Sequence, residues 1–117
     1  MLESNTPKPP DALLHTLRET ILAEVRANQA DLNLRQLAVT LTVYLTDEPQ
    51  TVRGLAQHLA VSKPAITRGL DRLEELDLVR RIPDPKDGRS VVAQRTSNGA
   101  AMMERLKALM MAAEAGA

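Results

Sequence analysis

The chain has 117 residues, with 15 Lys and Arg, 15 Asp and Glu, and no Cys. This length predicts a single domain. The lack of Cys excludes disulfides, a thiol nucleophile and a cysteine redox switch. Phe and Trp are absent and Tyr44 is the single aromatic residue, so the core must be aliphatic. No apolar run is long enough for a membrane span and no secretory signal is visible, so we expect a cytoplasmic protein without a membrane partner.

The zero net charge hides an uneven distribution. Residues 1–52 carry a net charge of −3, residues 53–95 carry +3, and residues 96–117 are balanced. A basic middle segment suits an anionic partner that contacts only that part of the chain.

The N-terminal third predicts an arm followed by two helices. Residues 1–10 are rich in Pro and are predicted to form an arm, and residues 11–117 one domain. Apolar residues at spacings of three and four predict a first helix that is capped by Asp11 and ends near Gln29. Asn33 is a candidate cap for a second helix, whose apolar stripe would contain Leu34, Leu37, Leu41 and Leu45.

The second helix competes with a strand. The run from Val39 to Thr46 alternates apolar and polar residues, many of them β-branched, which favours a strand. We predict a helix because the apolar stripe begins earlier, at Leu34, and because the sequence offers a strand no clear partner.

The middle segment predicts a helix-turn-helix. After a turn at residues 47–50, Thr51 caps a short helix from Val52 to Leu59. Ala60 and Val61 form a tight connection, and Ser62 caps the next helix, whose first turn contains Pro64. In such a motif the second helix enters the DNA major groove. Its buried stripe would contain Ile66, Leu70, Leu73 and Leu76, with Gly69 on the same face.

The opposite face of this second helix carries the candidate DNA contacts. Arg can bond bidentately to guanine, and Ser or Thr can bond phosphate or base. The residues that we expect to be exposed there are Ser62, Lys63, Ala65, Thr67, Arg68 and Arg72. Taken alone, the pattern also fits the solvated basic face of an ordinary amphipathic helix.

A hairpin is predicted to follow, with strands at residues 78–82 and 90–95 around a tip at residues 83–88. Lys86 and Arg89 could reach a narrow minor groove, where the negative potential attracts cations. Asp87 is placed to hold the Arg89 guanidinium. The stem carries Arg80, Arg81 and Arg95, which could meet phosphates. The alternative is a charged, soluble turn.

The last predicted helix is capped by Thr96 or Ser97 and ends near Ala115. Its apolar stripe contains Met102, Leu106, Leu109 and Ala113, and the first helix offers Leu14, Leu17 and Ile21. These broad stripes would be partly exposed in a lone domain, which is typical of an interface.

With the predicted helices and hairpin in this order along the chain, residues 33–107 resemble the MarR family of winged helix-turn-helix transcription regulators. The resemblance lies in Thr51–Leu59 (TVRGLAQHL), Ser62–Glu74 (SKPAITRGLDRLE), Leu78–Arg89 (LVRRIPDPKDGR) and Arg95–Gly99 (RTSNG). The chain departs from the family pattern at Asp77, where Gly is usual, and at Arg95, where Leu is usual. Asp77 would have to adopt a left-handed conformation, which Asp tolerates better than most residues.

The resemblance implies a mainly α fold with a small antiparallel β-hairpin wing and a homodimer formed by the first and last helices. Residues 11–32 and 97–117 would then be dimerisation segments, and residues 33–96 the DNA-binding lobe. It also implies double-stranded DNA as the partner and a pseudo-palindromic site. We therefore expect a transcriptional repressor. The alternative is a winged-helix module that binds another protein and no DNA.

Other chemistry has little support. His15 and His58 lie on different predicted helices without neighbouring ligands, so we expect no metal. Asp71, Glu74, Glu75 and Asp77 form what we interpret as a solvated acidic strip, not a catalytic pair. We expect no enzyme activity and no cofactor. A small-molecule effector is unsupported, because the chain offers almost no aromatic lining for such a site.

Overall fold

A computed structural model describes residues 10–27 and 29–116, and most of the predicted arm lies outside them. Five helices and three strands follow in the order α1 (Pro10–Arg26), α2 (Leu34–Leu45), β1 (Gln50–Thr51), α3 (Val52–Leu59), α4 (Lys63–Glu75), β2 (Val79–Pro83), β3 (Val91–Arg95) and α5 (Ser97–Ala115). The predicted mainly α, winged helix-turn-helix class is confirmed. No helix among these residues is long and apolar enough to cross a bilayer.

The first helix differs from its prediction at both ends. It begins at Pro10, so Asp11 lies in the first turn, where a carboxylate stabilises the helix dipole, and is not the cap. It ends at Arg26, short of the predicted Gln29. Its Thr16 and Thr20 side chains are buried and bond to Ala12 O and Thr16 O, at 3.0 and 2.7 Å.

The second helix is confirmed, and its apolar stripe is only partly covered, with Leu37 and Leu41 half-buried. Asn33 Oδ1 accepts from the Gln36 N–H at 2.8 Å and Gln36 Oε1 accepts from the Asn33 N–H at 3.0 Å, a complete capping box. The buried face contains Val39, Thr40 and Val43, whereas Leu34 and Leu45 are exposed. The Thr40 hydroxyl donates to Gln36 O at 2.8 Å, which lets this β-branched polar residue lie buried in a helix.

The sheet has one strand more than predicted. Its order is β1-β3-β2, with both pairings antiparallel. The predicted hairpin is present, with Ile82 opposite Val92. The added strand contains Gln50 and Thr51 and pairs with Ala93 and Val92. Two residues are too few to form an alternating pattern, so β1 has no signal in the sequence.

Two left-handed residues shape the turns after α3 and α4. Ala60 has φ 58° and ends α3, and the Val61 N–H donates to Ala56 O at 3.1 Å. Asp77 has φ 57°, which confirms the left-handed conformation expected at this position. Asp77 thus turns the chain from α4 into β2 despite the steric cost of its Cβ.

The chain divides into two compact units. The central unit comprises residues 30–103, and the terminal unit contains the described residues up to 29 and those from 104 onward. The core of the central unit contains Val39, Leu55, Ile66, Leu70 and Leu73, all fully buried. Met102 is also buried there, at 7% exposed, so its side chain packs in the core of this unit. Its role in a dimer interface stays a prediction.

The terminal unit exposes much of its apolar surface. Leu14, Leu17 and Ile21 are 64%, 53% and 42% exposed. From α5, Leu106, Leu109 and Ala113 are half-buried. The Arg105 guanidinium forms a bidentate ion pair with Glu24, at 3.0 and 2.7 Å, and so joins α5 to α1.

Candidate nucleic-acid interface

Helix α4 has one buried face and one basic face. Ser62 caps it as predicted, because its Oγ accepts from the Ala65 N–H at 3.2 Å, and Pro64 lies in the first turn. Ile66, Leu70 and Leu73 are buried and fix the rotation of the helix. On the other side Ser62, Lys63, Arg68 and Arg72 are exposed and Thr67 is half-buried.

Ala65 is not on that face. It is 7% exposed, so the expectation that it is presented to a ligand is wrong. Ala65 comes three residues after the cap and one before the core residue Ile66, and the helix turns it towards the core. A small residue there permits close packing within the central unit.

The stem of the hairpin is tied to α4 by three charged side chains, which we call the wing-root cluster: Asp71, Glu74 and Arg81. Glu74 accepts from the Arg81 backbone N–H at 3.0 Å, from its Nε at 2.9 Å and from its Nη2 at 2.7 Å. Asp71 Oδ1 accepts from the same Nη2 at 2.6 Å. Charge-assisted, bidentate contacts of this kind are strong and directional.

This cluster corrects two predictions. The Arg81 guanidinium is turned towards α4 and engaged by two carboxylates, so its first partners are Glu74 and Asp71 and it is not a free phosphate-binding position, although it also lines the cleft beside the wing. The supposed acidic strip is also not simply solvated, because Asp71 and Glu74 hold Arg81. Glu75 Oε1 accepts from Arg72 Nη1 at 3.1 Å in an exposed pair. An exposed ion pair contributes little to stability, so Arg72 can exchange Glu75 for another partner at little cost.

The wing-root cluster should lose strength in acid. The hydrogen bond from the Arg81 backbone N–H, and then those from its side chain, lower the pKa of Glu74 below its usual 4.5. Because the pKa of Glu74 is lower in the folded state, its carboxylate stabilises the fold fully when the pH is above the pKa of the unfolded state. This stabilisation disappears as the pH falls through the pKa of the folded state.

We therefore predict a pH-dependent difference between the wild type and Glu74→Gln, which imitates the protonated carboxyl. In urea unfolding the wild type should be the more stable at pH 6–7, and the difference should shrink as the pH falls below about 4.5. The other carboxylates titrate in both proteins, so their contributions to the difference in stability cancel. A stability difference that stays constant from pH 6 to pH 3 would contradict this role of the carboxylate.

The tip of the wing is organised by two aspartates. Asp84 Oδ1 accepts from the Lys86 N–H at 3.0 Å, and Asp87 Oδ1 accepts from the Arg89 N–H at 3.1 Å. The predicted contact between Asp87 and the Arg89 guanidinium is thus wrong: the carboxylate holds the backbone of Arg89. Lys86 and Arg89 are exposed at the tip, and Arg80 is exposed on β2.

A cleft of 220 Å³ separates α4 from the wing. It brings together residues that the sequence places far apart, namely Lys63 and Thr67 from α4 and Arg89 from the wing. Arg53 of α3 also lines it, and this residue was missed. Its signal was its position in the first turn of α3, two residues after the cap Thr51 and on the side away from the apolar stripe. The cleft is a place where phosphate oxygens would meet several cations.

Arg95 faces a different partner from the predicted phosphate. Its Nε donates to Val43 O at 2.9 Å and its Nη2 to Thr46 O at 2.8 Å, so it binds carbonyls at the C-terminal end of α2. Its guanidinium carbon lies 5.7 Å from the centre of the Tyr44 ring. Arg95 therefore belongs to the packing of the central unit.

Nothing in the described part of the chain gathers three or more His, Cys, Asp or Glu side chains in an arrangement that could hold a metal ion. His15 Nδ1 lies 3.2 Å from Arg18 Nη2 on the exposed side of α1.

Three known proteins and one family model bear on this geometry. The family model described as MarR family matches residues 30–90. An uncharacterised HTH-type transcriptional regulator of Mycobacterium leprae is 30% identical over 104 residues, which cover 89% of this chain and 72% of that protein.

Two solved structures resemble the chain in fold as well as sequence. Wild-type MarR of E. coli in its apo form is 29% identical, with a TM-score of 0.63, over 89% of this chain and 78% of that one. Reduced AbfR bound to DNA is 25% identical, with a TM-score of 0.63, over 87% of this chain and 71% of that one.

Proposed function

The chain is a member of the MarR family of transcriptional regulators, and on that premise we propose that it is a repressor that binds a pseudo-palindromic DNA site as a homodimer. The observation that carries this proposal is the arrangement of cations on the central unit. Arg68 and Arg72 lie on the exposed face of α4, Lys86 and Arg89 at the wing tip, and Lys63 beside the cleft between them. The AbfR structure holds DNA on a similar fold.

The contacts divide by their position on the surface. Thr67, Arg68 and Arg72 would reach base edges in the major groove. Arg89, aided by Lys86, would enter the minor groove, with Asp87 fixing the backbone of the wing tip. The N-terminal end of α4 with Ser62 and Lys63, together with Arg53 and Arg80, would contact phosphates. Arg81 acts indirectly, because the wing-root cluster holds the stem of the wing against α4.

The second subunit is proposed to cover the exposed apolar residues of the terminal unit. Leu14, Leu17 and Ile21 form a surface that a lone chain would leave in water, together with the half-buried Leu106, Leu109 and Ala113. A two-fold dimer presents two copies of α4 and therefore requires an inverted repeat. Repression needs only that such a dimer occupy a promoter and exclude the polymerase. The cytoplasmic location stays a prediction.

The experiment is a selection of genomic DNA fragments by the purified protein at low ionic strength, followed by affinity measurements against salt. We expect enriched fragments with an inverted repeat whose half-sites lie about one helical turn, roughly 10 base pairs, apart. If Lys63, Arg53 and Arg80 of both subunits each neutralise a phosphate, log K should fall with log salt with a slope of roughly −5.

The alternative function, a winged-helix module that binds a protein, gives a different outcome. No fragment would be enriched, and the basic face would retain a protein partner with a weaker dependence on salt. Enrichment without an inverted repeat would contradict the dimer and leave the DNA-binding role standing.

A further inference from the structure

Three segments of the central unit meet at the hydroxyl of Tyr44. This hydroxyl donates to Leu78 O at 2.7 Å and accepts from the Thr96 N–H at 3.0 Å. Tyr44 belongs to α2, Leu78 lies in the bend between α4 and the wing, and Thr96 is the residue immediately before α5. The Tyr44 hydroxyl oxygen thus joins the bend between α4 and the wing, the two proposed DNA-contacting elements, to the start of α5.

Arg95 reinforces the same place. Besides bonding Val43 O and Thr46 O, its guanidinium lies over the Tyr44 ring. This contact stabilises the positions of both side chains, because the face of an aromatic ring attracts a cation. Arg95 stands where the MarR-like pattern has Leu, so the pairing with Tyr44 accounts for that departure.

The first turn of α5 is fixed by further bonds to the bend after α4. The Thr96 hydroxyl donates to Asp77 O at 2.7 Å and accepts from the Gly99 N–H at 3.0 Å. Asn98 Nδ2 donates to Leu76 O at 3.0 Å. We call Tyr44, Arg95, Thr96, Asn98 and Gly99, with the carbonyls that they bind, the Tyr44 junction.

We propose that the Tyr44 hydroxyl is a positioning group that sets the direction in which α5 leaves the central unit, and so the half-site spacing that the dimer accepts. This inference rests on the proposed function, in which α5 helps to form the dimer. The nineteen residues of α5 make a helix about 28 Å long. A tilt of about 10° at its first turn moves the far end by about 5 Å, more than the 3.4 Å rise of one base pair.

The test compares Tyr44→Phe with the wild type on duplexes that carry the selected half-sites at the selected spacing, and with one base pair added or removed. We expect the wild type to lose at least tenfold in affinity when the spacing changes. Tyr44→Phe should lose less than threefold, while its affinity at the selected spacing changes only a few-fold. A merely structural role would lower affinity equally at all spacings.

Thr42→Val is the matched control. It removes a hydroxyl two residues earlier on the same helix, which donates to Ala38 O at 2.7 Å and takes no part in the junction. This variant should keep the spacing preference of the wild type. If Tyr44→Phe fails to fold, Arg95→Met provides the test, because it removes the bonds to Val43 O and Thr46 O. It should relax the spacing preference by a smaller factor.

Amide hydrogen exchange supplies a reading that needs no DNA. The Thr96 amide should exchange at least tenfold faster in Tyr44→Phe than in the wild type, and at the wild-type rate in Thr42→Val. If the wild type discriminates between spacings and Tyr44→Phe discriminates as strongly, the inference is wrong and the proposed function survives. If the wild type binds no duplex of any spacing, both are wrong.

Discussion

Replacing Arg68 by Ala should weaken binding to the selected DNA site by about 1–3 kcal/mol, or roughly 5–150-fold, and relax the sequence preference at one position of each half-site. Arg68 lies exposed on α4, and the buried Ile66, Leu70 and Leu73 fix the face on which it stands. No ion pair engages Arg68 among the residues that the structure describes, so its loss leaves no buried carboxylate behind. Stability should therefore stay unchanged.

The measurement is a gel-shift or fluorescence titration at one stated salt concentration, on the selected site and on a scrambled duplex. Arg35→Ala is the control, because it removes an equal charge from an exposed position on α2, a helix that carries none of the proposed DNA contacts. Arg35→Ala should leave the ratio of specific to non-specific affinity unchanged, and Arg68→Ala should reduce it. An equal loss on both duplexes would show that Arg68 contacts only phosphate.

The second large effect concerns Gly99, where Ala should destabilise the fold by about 2–4 kcal/mol. A Cβ at this position would overlap the Tyr44 hydroxyl and come within 2.5 Å of Leu78 O. The backbone carbonyl cannot move aside cheaply, and displacing the hydroxyl would break the hydrogen bonds at the Tyr44 junction. The melting temperature should fall by roughly 10 °C or more.

Gly69→Ala is the matched control for this substitution. Gly69 is also a buried glycine within a helix, but the nearest atom to its added Cβ is Gln36 Cγ, at 4.0 Å, an ordinary contact. Ala should stabilise α4 by up to about 1 kcal/mol, because it favours the helix more than Gly does. Calorimetry on both variants should give shifts of opposite sign. Two variants with the same melting temperature as the wild type would contradict the close packing at Gly99.

The corrections share a physical cause. The charge of Arg81, Asp87 and Arg95 and their place on the hairpin predict a phosphate partner for Arg81 and Arg95, and the Arg89 guanidinium as the partner of Asp87. Their partners are a carboxylate seven residues away, a backbone N–H two residues away, and carbonyls 49 and 52 residues away. A side chain with several possible partners takes the one that packing brings within about 3 Å. Charge alone does not reveal that choice.

The sequence by itself determined the features that depend on near neighbours along the chain. Caps such as Asn33, Thr51 and Ser62 act over three residues, and the order of helices, turn and wing follows from local spacing. Even the left-handed Asp77 could be expected from its place at a helix end.

Only the tertiary structure decided which faces are covered. It turned Ala65 and Met102 inwards, exposed Leu34 and Leu45, and placed β1 beside β3. It also brought the Tyr44 hydroxyl against the start of α5, so that residue 99 must lack a Cβ. Burial is a property of the packed surfaces of several elements, whereas a single stretch of sequence specifies only the spacing of its own apolar residues.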